Sequence, residues 1–212
     1  MKIMIFGGEA SGKSAFAEDL ALEMAQKEGL PLYYIATMDK NAGGDTKKRL
    51  EKHQKMREGK GFITIERTKD LGKLDLPSEN GVILLEDIGN LVANELFTSK
   101  TSPASIDRHD TNTNYAVKTK IKSEALPAAA LSASFSVYAD SVARKVEDSI
   151  EAISRKSKHI IAVGNNVFED DTKNYCTETH IYLQTLSQVN NIYAQKCDVV
   201  KEIYYGIPIS LK

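Results

Sequence analysis

Little cysteine, no excess of either charge and no long apolar run characterise this sequence of 212 residues, and each absence excludes something. Cys176 and Cys197 lack metal-ligand spacing and form no CxxC pair. They read as free thiols of a reducing compartment, with a single disulfide as the alternative. Lys plus Arg number 28 against 29 for Asp plus Glu, a balance that gives no broad attraction for nucleic acid or anionic membrane. Any anion site must therefore be local. No apolar run approaches the ~20 residues of a membrane span. The N-terminus runs straight into a strand-like segment without a charged leader and cleavage site, so a cytoplasmic location is expected. No internal repeat is visible.

What is present fits one globular domain, with 42% hydrophobic and 27% charged residues. Short apolar runs alternate with helical patterns, which predicts an α/β fold with a mostly parallel sheet and helices on both faces. Strands are expected at Ile3–Phe6, Leu32–Ala36, Phe62–Glu66, Val82–Leu85 and His159–Val163, with Glu202–Tyr205 closing the sheet. Helices are expected at Lys13–Lys27, with Phe16, Leu20 and Met24 on one face, and from Asp45 to about Glu58, ended by Gly59. Two more are expected at Ala139–Lys156, with Val142, Val146, Ile150 and Ile153 on one side, and at Leu183–Lys196. Residues 98–114 are rich in Ser, Thr, Asn and Asp and read as a loop. An atypical loop or insert is expected at about 99–138.

Gly7-Gly8-Glu9-Ala10-Ser11-Gly12-Lys13-Ser14 fits G-x-x-x-x-G-K-[ST] completely. Such glycines let the backbone turn its N–H groups toward phosphate oxygens. The following helix aims its positive end at the same place. Lys13 then supplies charge for the β- and γ-phosphates, and Ser14 a hydroxyl for Mg²⁺. A buried strand before the motif and an amphipathic helix after it supply the context that a chance Gly-rich turn lacks.

Arg49, His53 and Arg57 are four apart in a strongly cationic helical stretch, so they share one face. Two guanidiniums disfavour the protonated imidazole, and they attract a triphosphate by charge-assisted bonds. A neutral imidazole facing a phosphate can act as a nucleophile. Taken alone, however, such a stretch is more often a solvated helix face carrying an incidental histidine. Val82–Leu85 delivers Glu86 and Asp87 to the carboxyl edge of the sheet, where one of them can hold Mg²⁺ on the nucleotide. Asn165 and Asn166 follow their strand in the same way.

Together these segments resemble the bifunctional adenosylcobinamide kinase / adenosylcobinamide-phosphate guanylyltransferase family. The loop from Gly7 to Ser14 is similar to its G-G-x-R-S-G-K-S, and Tyr34-Ile35-Ala36-Thr37 to its Y-I-A-T. Arg49, His53 and Arg57 resemble its R-x-x-x-H-x-x-x-R helix, and residues 62–66 its W-x-T-x-E strand. Leu84-Leu85-Glu86 with Asn94 resembles a later strand and the Asn beyond it. The tail of Asn190, Ala194, Asp198, Tyr205-Gly206-Ile207-Pro208-Ile209 and Lys212 is similar to the family's ending. The likeness spans residues 1–98 and about 140–212.

The resemblance implies a RecA-like P-loop NTPase fold and two reactions of cobalamin biosynthesis. A nucleoside triphosphate phosphorylates adenosylcobinamide. GTP then guanylylates a histidine, and the GMP passes to adenosylcobinamide phosphate to give adenosyl-GDP-cobinamide. Carried over, His53 is the nucleophile and Lys13 its catalytic companion. Gly7, Gly8, Glu9, Ala10, Ser11, Gly12, Lys13, Ser14, Ala36, Thr37, Met38, Arg49, Arg57, Glu66 and Glu86 surround the nucleotide. Ser14 and Glu86 hold the Mg²⁺ cofactor, and the family's assembly is a homotrimer. The sequence departs from the family at Ala10 (Arg in the family), at Asn166 (Glu) and at Ser187 (Gly). It also has no Arg between about 175 and 185, and a longer 99–138 segment. The retained residues also fit a P-loop kinase for another small molecule, or a nucleotide-binding paralogue lacking one or both activities.

Overall fold

A computed structural model describes residues 1–38, 51, 54–97, 128–167 and 175–212, with 128–135 as backbone only. Seven strands form one sheet: β1 (Lys2–Gly7), β2 (Leu32–Ala36), β3 (Ile63–Glu66), β4 (Gly81–Glu86), β5 (Ser157–Asn165), β6 (Val199–Tyr204) and β7 (Ile207–Ser210). Their order is β3-β2-β4-β5-β1-β6-β7. All neighbours are parallel except β6 and β7, which run antiparallel. The longer helices among the described residues are α1 (Lys13–Glu28), α2 (Ile88–Phe97), α3 (Ala128–Arg155) and α4 (Thr177–Lys196). This is the RecA-like P-loop fold, with the strand that leads into the loop, β1, separated from the acid-bearing β4 by β5.

Alternation along buried strands divides the core in two. Ile3, Ile5, Tyr34, Val82, Leu84, Ile161 and Val163 face α1. Met4, Tyr33, Ile35, Ile83, Leu85, Ile160 and Ala162 face α2, α3 and α4. Helices thus cover both faces. The contact stripe of α1 differs from the one expected: Ala17, Ala21 and Ala25 are buried, while Phe16, Leu20 and Met24 pack only partly buried beside them. Small residues bring the helix axis close to the sheet, and the larger ones flank it. On α3 the expected row of Val142, Val146, Ile150 and Ile153 is buried.

Several boundaries differ from the sequence expectation. α3 begins at Ala128, so residues 128–138 are helix rather than part of a loop. α4 begins at Thr177, six residues before Leu183, and α2 was not expected at all. The chain does not end at β6: Tyr205 (φ 50) and Gly206 (φ 79) make a two-residue turn into β7. Both central residues with positive φ define the hairpin turn whose twist suits adjacent strands. Residues 54–57 are helical and Gly59 (φ 75) ends them as expected. Asp45, Arg49 and His53 lie outside the described residues.

Candidate nucleotide-binding site

β1 ends in Gly7, where there is no room for a side chain: a Cβ would stand 2.7 Å from the Ile203 carbonyl oxygen and from Ser11 Oγ. The loop then turns through Ala10 (φ 55) and Gly12 (φ 91), both left-handed, the latter capping α1. Glycine meets this demand at Gly12 without strain. The β6–β7 turn supports the loop from outside, as the Gly206 N–H donates to the Ser11 carbonyl at 2.8 Å. Lys13, at the start of α1, is buried and donates from Nζ to the Gly8 carbonyl at 2.8 Å. Glu9 and Ala10 are exposed.

Opposite the loop, the end of β4 presents Glu86. Ser14 Oγ donates to its Oε1 at 2.5 Å and the Tyr34 hydroxyl to its Oε2 at 2.9 Å. The next residue, Asp87, accepts the Asn90 N–H on Oδ1 at 2.6 Å, which caps α2. Its Oδ2 accepts from Asn165 Nδ2 at 3.0 Å. Thr37 is fully buried, its one hydroxyl proton shared between the Glu86 and Asp87 carbonyls, each 2.9 Å away, while its oxygen accepts the Asp87 N–H. Asn94 Nδ2 donates to the Thr37 carbonyl at 2.8 Å. These bonds fix where the two carboxylates stand.

Arg57 completes the wall. Its Cζ lies 3.4 Å from the centroid of the Tyr34 ring, and its Nη1 is 4.0 Å from Glu18 Oε1. Among the described residues Arg57 Nε and Nη1 have no hydrogen-bond partner, although the side chain is buried. Burial raises the pKa of Glu18, opposed by the hydrogen bond from Lys60 at 3.2 Å. Burial, followed by the charge of Glu86, also pushes the Tyr34 phenol far above its usual range.

One cleft is therefore lined by Lys13, Ser14, Tyr34, Ala36, Met38, Arg57, Glu86, Asp87, Asn90 and Asn165. Of the residues singled out in the sequence, the structure brings Lys13, Ser14, Ala36, Met38, Arg57, Glu86, Asp87 and Asn165 together there. It does not place Thr37 on that wall, because its side chain is spent on the strand end. Glu66 pairs in register with Ala36 but is exposed at the sheet edge, outside the lining. Tyr34 and Asn90 line the cleft without having been singled out, and Glu18 stands behind Arg57, outside the lining. Tyr34 lay within the Y-I-A-T segment, and nothing local marks Glu18. Ser14 and Glu86 offer a hydroxyl and a carboxylate, the hard oxygen donors suited to Mg²⁺ carried on phosphates.

A P-loop closing on an acidic strand end, with a buried arginine across from it, makes this a P-loop nucleotide-binding protein. Residues 3–211 match the family described as cobinamide kinase / cobinamide phosphate guanyltransferase, and the chain belongs to that family. Membership supports a role in cobalamin biosynthesis. No curated protein matches the sequence. Among solved structures, the chain is similar to flagellar accessory protein FlaH from Methanocaldococcus jannaschii, at 14% identity and TM-score 0.41, over 100% of this chain and 77% of that one. It is also similar to an ATPase domain of known structure, at 11% identity and TM-score 0.41, over 96% of this chain and 69% of that one. Likenesses so distant carry no functional weight.

Proposed function

We propose that this cleft binds GTP or ATP with Mg²⁺ and serves both transfers of the family, the second through a guanylylated His53. The observation that carries the proposal is the meeting of Lys13, Ser14 and Glu86 with the Arg57 guanidinium, whose Nε and Nη1 lack partners among the described residues. Lys13 balances charge on the β- and γ-phosphates, Arg57 supplies further N–H donors, and Ser14 and Glu86 would hold Mg²⁺, which when bound would supply charge neutralisation. In the kinase step the adenosylcobinamide hydroxyl oxygen bonds to the γ-phosphorus and loses its proton to solvent. The bond to the β–γ bridging oxygen breaks and a nucleoside diphosphate leaves. In the second step a ring nitrogen of His53 bonds to the α-phosphorus of GTP and pyrophosphate leaves. A phosphate oxygen of adenosylcobinamide phosphate then takes the GMP and frees the histidine. The homotrimer and the cytoplasmic location implied by the resemblance belong to the same proposal.

Two labels of GTP separate the steps. The purified protein is incubated with Mg²⁺, adenosylcobinamide and GTP labelled at either the α- or the γ-phosphate. Both labels should appear in the corrinoid product. Transfer of γ-label alone would leave a kinase, and binding without transfer of either would leave a nucleotide-binding paralogue. A corrinoid labelled only when supplied already phosphorylated would show that the kinase step was lost with the departures at Ala10 and Asn166.

A further inference from the structure

We propose that Tyr34 is a positioning residue that couples the two sides of the cleft, its ring face seating Arg57 while its hydroxyl fixes Glu86. The inference rests on the functional proposal above, in which the cleft takes GTP with Mg²⁺. Tyr34 sits on β2 beside Leu84 of β4, with only 4% of its surface exposed. Phe62 meets its ring edge-on at a centroid distance of 6.1 Å, which braces the ring plane. On the ring face the Arg57 guanidinium carbon stands 3.4 Å from the centroid. At the far end of the same side chain the hydroxyl donates to Glu86 Oε2 at 2.9 Å, while Ser14 donates to the other carboxylate oxygen.

The manner in which Arg57 is held matters. Glu18 Oε1, the carboxylate oxygen paired with it among the described residues, is 4.0 Å from Nη1, too far for a hydrogen bond. Attraction to the ring face and to the Glu18 charge therefore seats the guanidinium without consuming Nε–H or the Nη1 protons. Among the described residues nothing else takes those donors, and a planar fork suits phosphate oxygens. Glu86 is held differently, by hydrogen bonds that set the orientation of a carboxylate suited to a cation. Because ring and hydroxyl do separate things, substitutions can separate them too.

The test is GTP binding by calorimetry, titrated over Mg²⁺ concentration and repeated in EDTA. Tyr34→Phe keeps the ring and removes the donor. It should raise the Mg²⁺ concentration for half-maximal enhancement of binding roughly tenfold, as loss of an outer-shell partner does, with affinity in EDTA unchanged. Tyr34→Leu removes both contacts. It should weaken binding in EDTA about as much as Arg57→Ala does, roughly tenfold, and the double variant should be no weaker than Arg57→Ala alone. An unaltered Mg²⁺ dependence in Tyr34→Phe, or additive losses in the double variant, would overturn the proposal. If Tyr34→Leu does not fold, the Tyr34→Phe comparison decides by itself. Failure of the wild-type protein to bind GTP would instead bring down the functional proposal, and the role of Tyr34 with it.

Discussion

Glu18 has no exposed surface, a setting in which a carboxylate must be met by cations. Lys60 Nζ donates to it at 3.2 Å and Arg57 lies beyond at 4.0 Å. Burial nonetheless holds its pKa above the ordinary 4.5. A carboxyl whose folded pKa is raised detracts from stability as pH climbs from its unfolded value through its folded one. Lys60→Met raises that folded pKa further. The variant should lose about 1–3 kcal/mol, the cost of an unpaired buried acceptor, in melts at pH 8, and distinctly less near pH 4.5. Equal losses at both pH values would mean that Glu18 does not change charge between them. Lys13 is the only full positive charge within the loop, so Lys13→Ala should cost about 1.5–3 kcal/mol of GTP affinity, a charge-assisted bond, with the melting temperature little changed. Unaltered affinity by calorimetry would contradict its role. The thiols differ as well. Cys197 is buried and its pKa is pushed up to about 12 by that burial, whereas Cys176 is exposed. Iodoacetamide at pH 8 should therefore modify the folded protein once, at Cys176, as read by peptide mass spectrometry.

At the scale of elements, patterns that report burial were legible and those that report only a boundary were not. The continuous apolar runs of β1, β2, β4 and β5 could hardly be anything but strands covered on both faces. α2 was missed because Ile88–Phe97 is almost uniformly buried, so no polar side marks its period. β7 was missed because Tyr205-Gly206 is not an Asn-Gly pair, and its strand residues are all exposed. That hairpin still matters for the loop, since Gly206 both turns the chain and donates to Ser11. A Cβ at Gly206 would meet nothing within 4 Å, so Gly206→Ala costs only the left-handed backbone. About 1–2 kcal/mol of stability should be lost, visible as a lower denaturant midpoint. No change would mean that the turn relaxes at no cost.

Across the whole molecule, the site was legible where one short motif carries it and dark where distant segments meet. Gly7 to Ser14 announces itself, and the carboxyl end of β4 follows from the position of ligands in open parallel sheets. That Tyr34 would lie between Arg57 and Glu86 depends on the pairing of β2 with β4 and on where residues 54–57 dock, neither of which any local pattern encodes. The proposed guanylylation of His53 by GTP bound in this cleft is the step on which the function turns. The measurement closest to it is intact mass after incubation with GTP and Mg²⁺, for the wild type and for His53→Asn, which keeps size but removes the nucleophile. The wild type should gain one GMP, more slowly at acid pH, because attack needs the neutral ring. His53→Asn should bind GTP and gain none. An adduct on His53→Asn equal to that on the wild type, or none on either, would contradict the account.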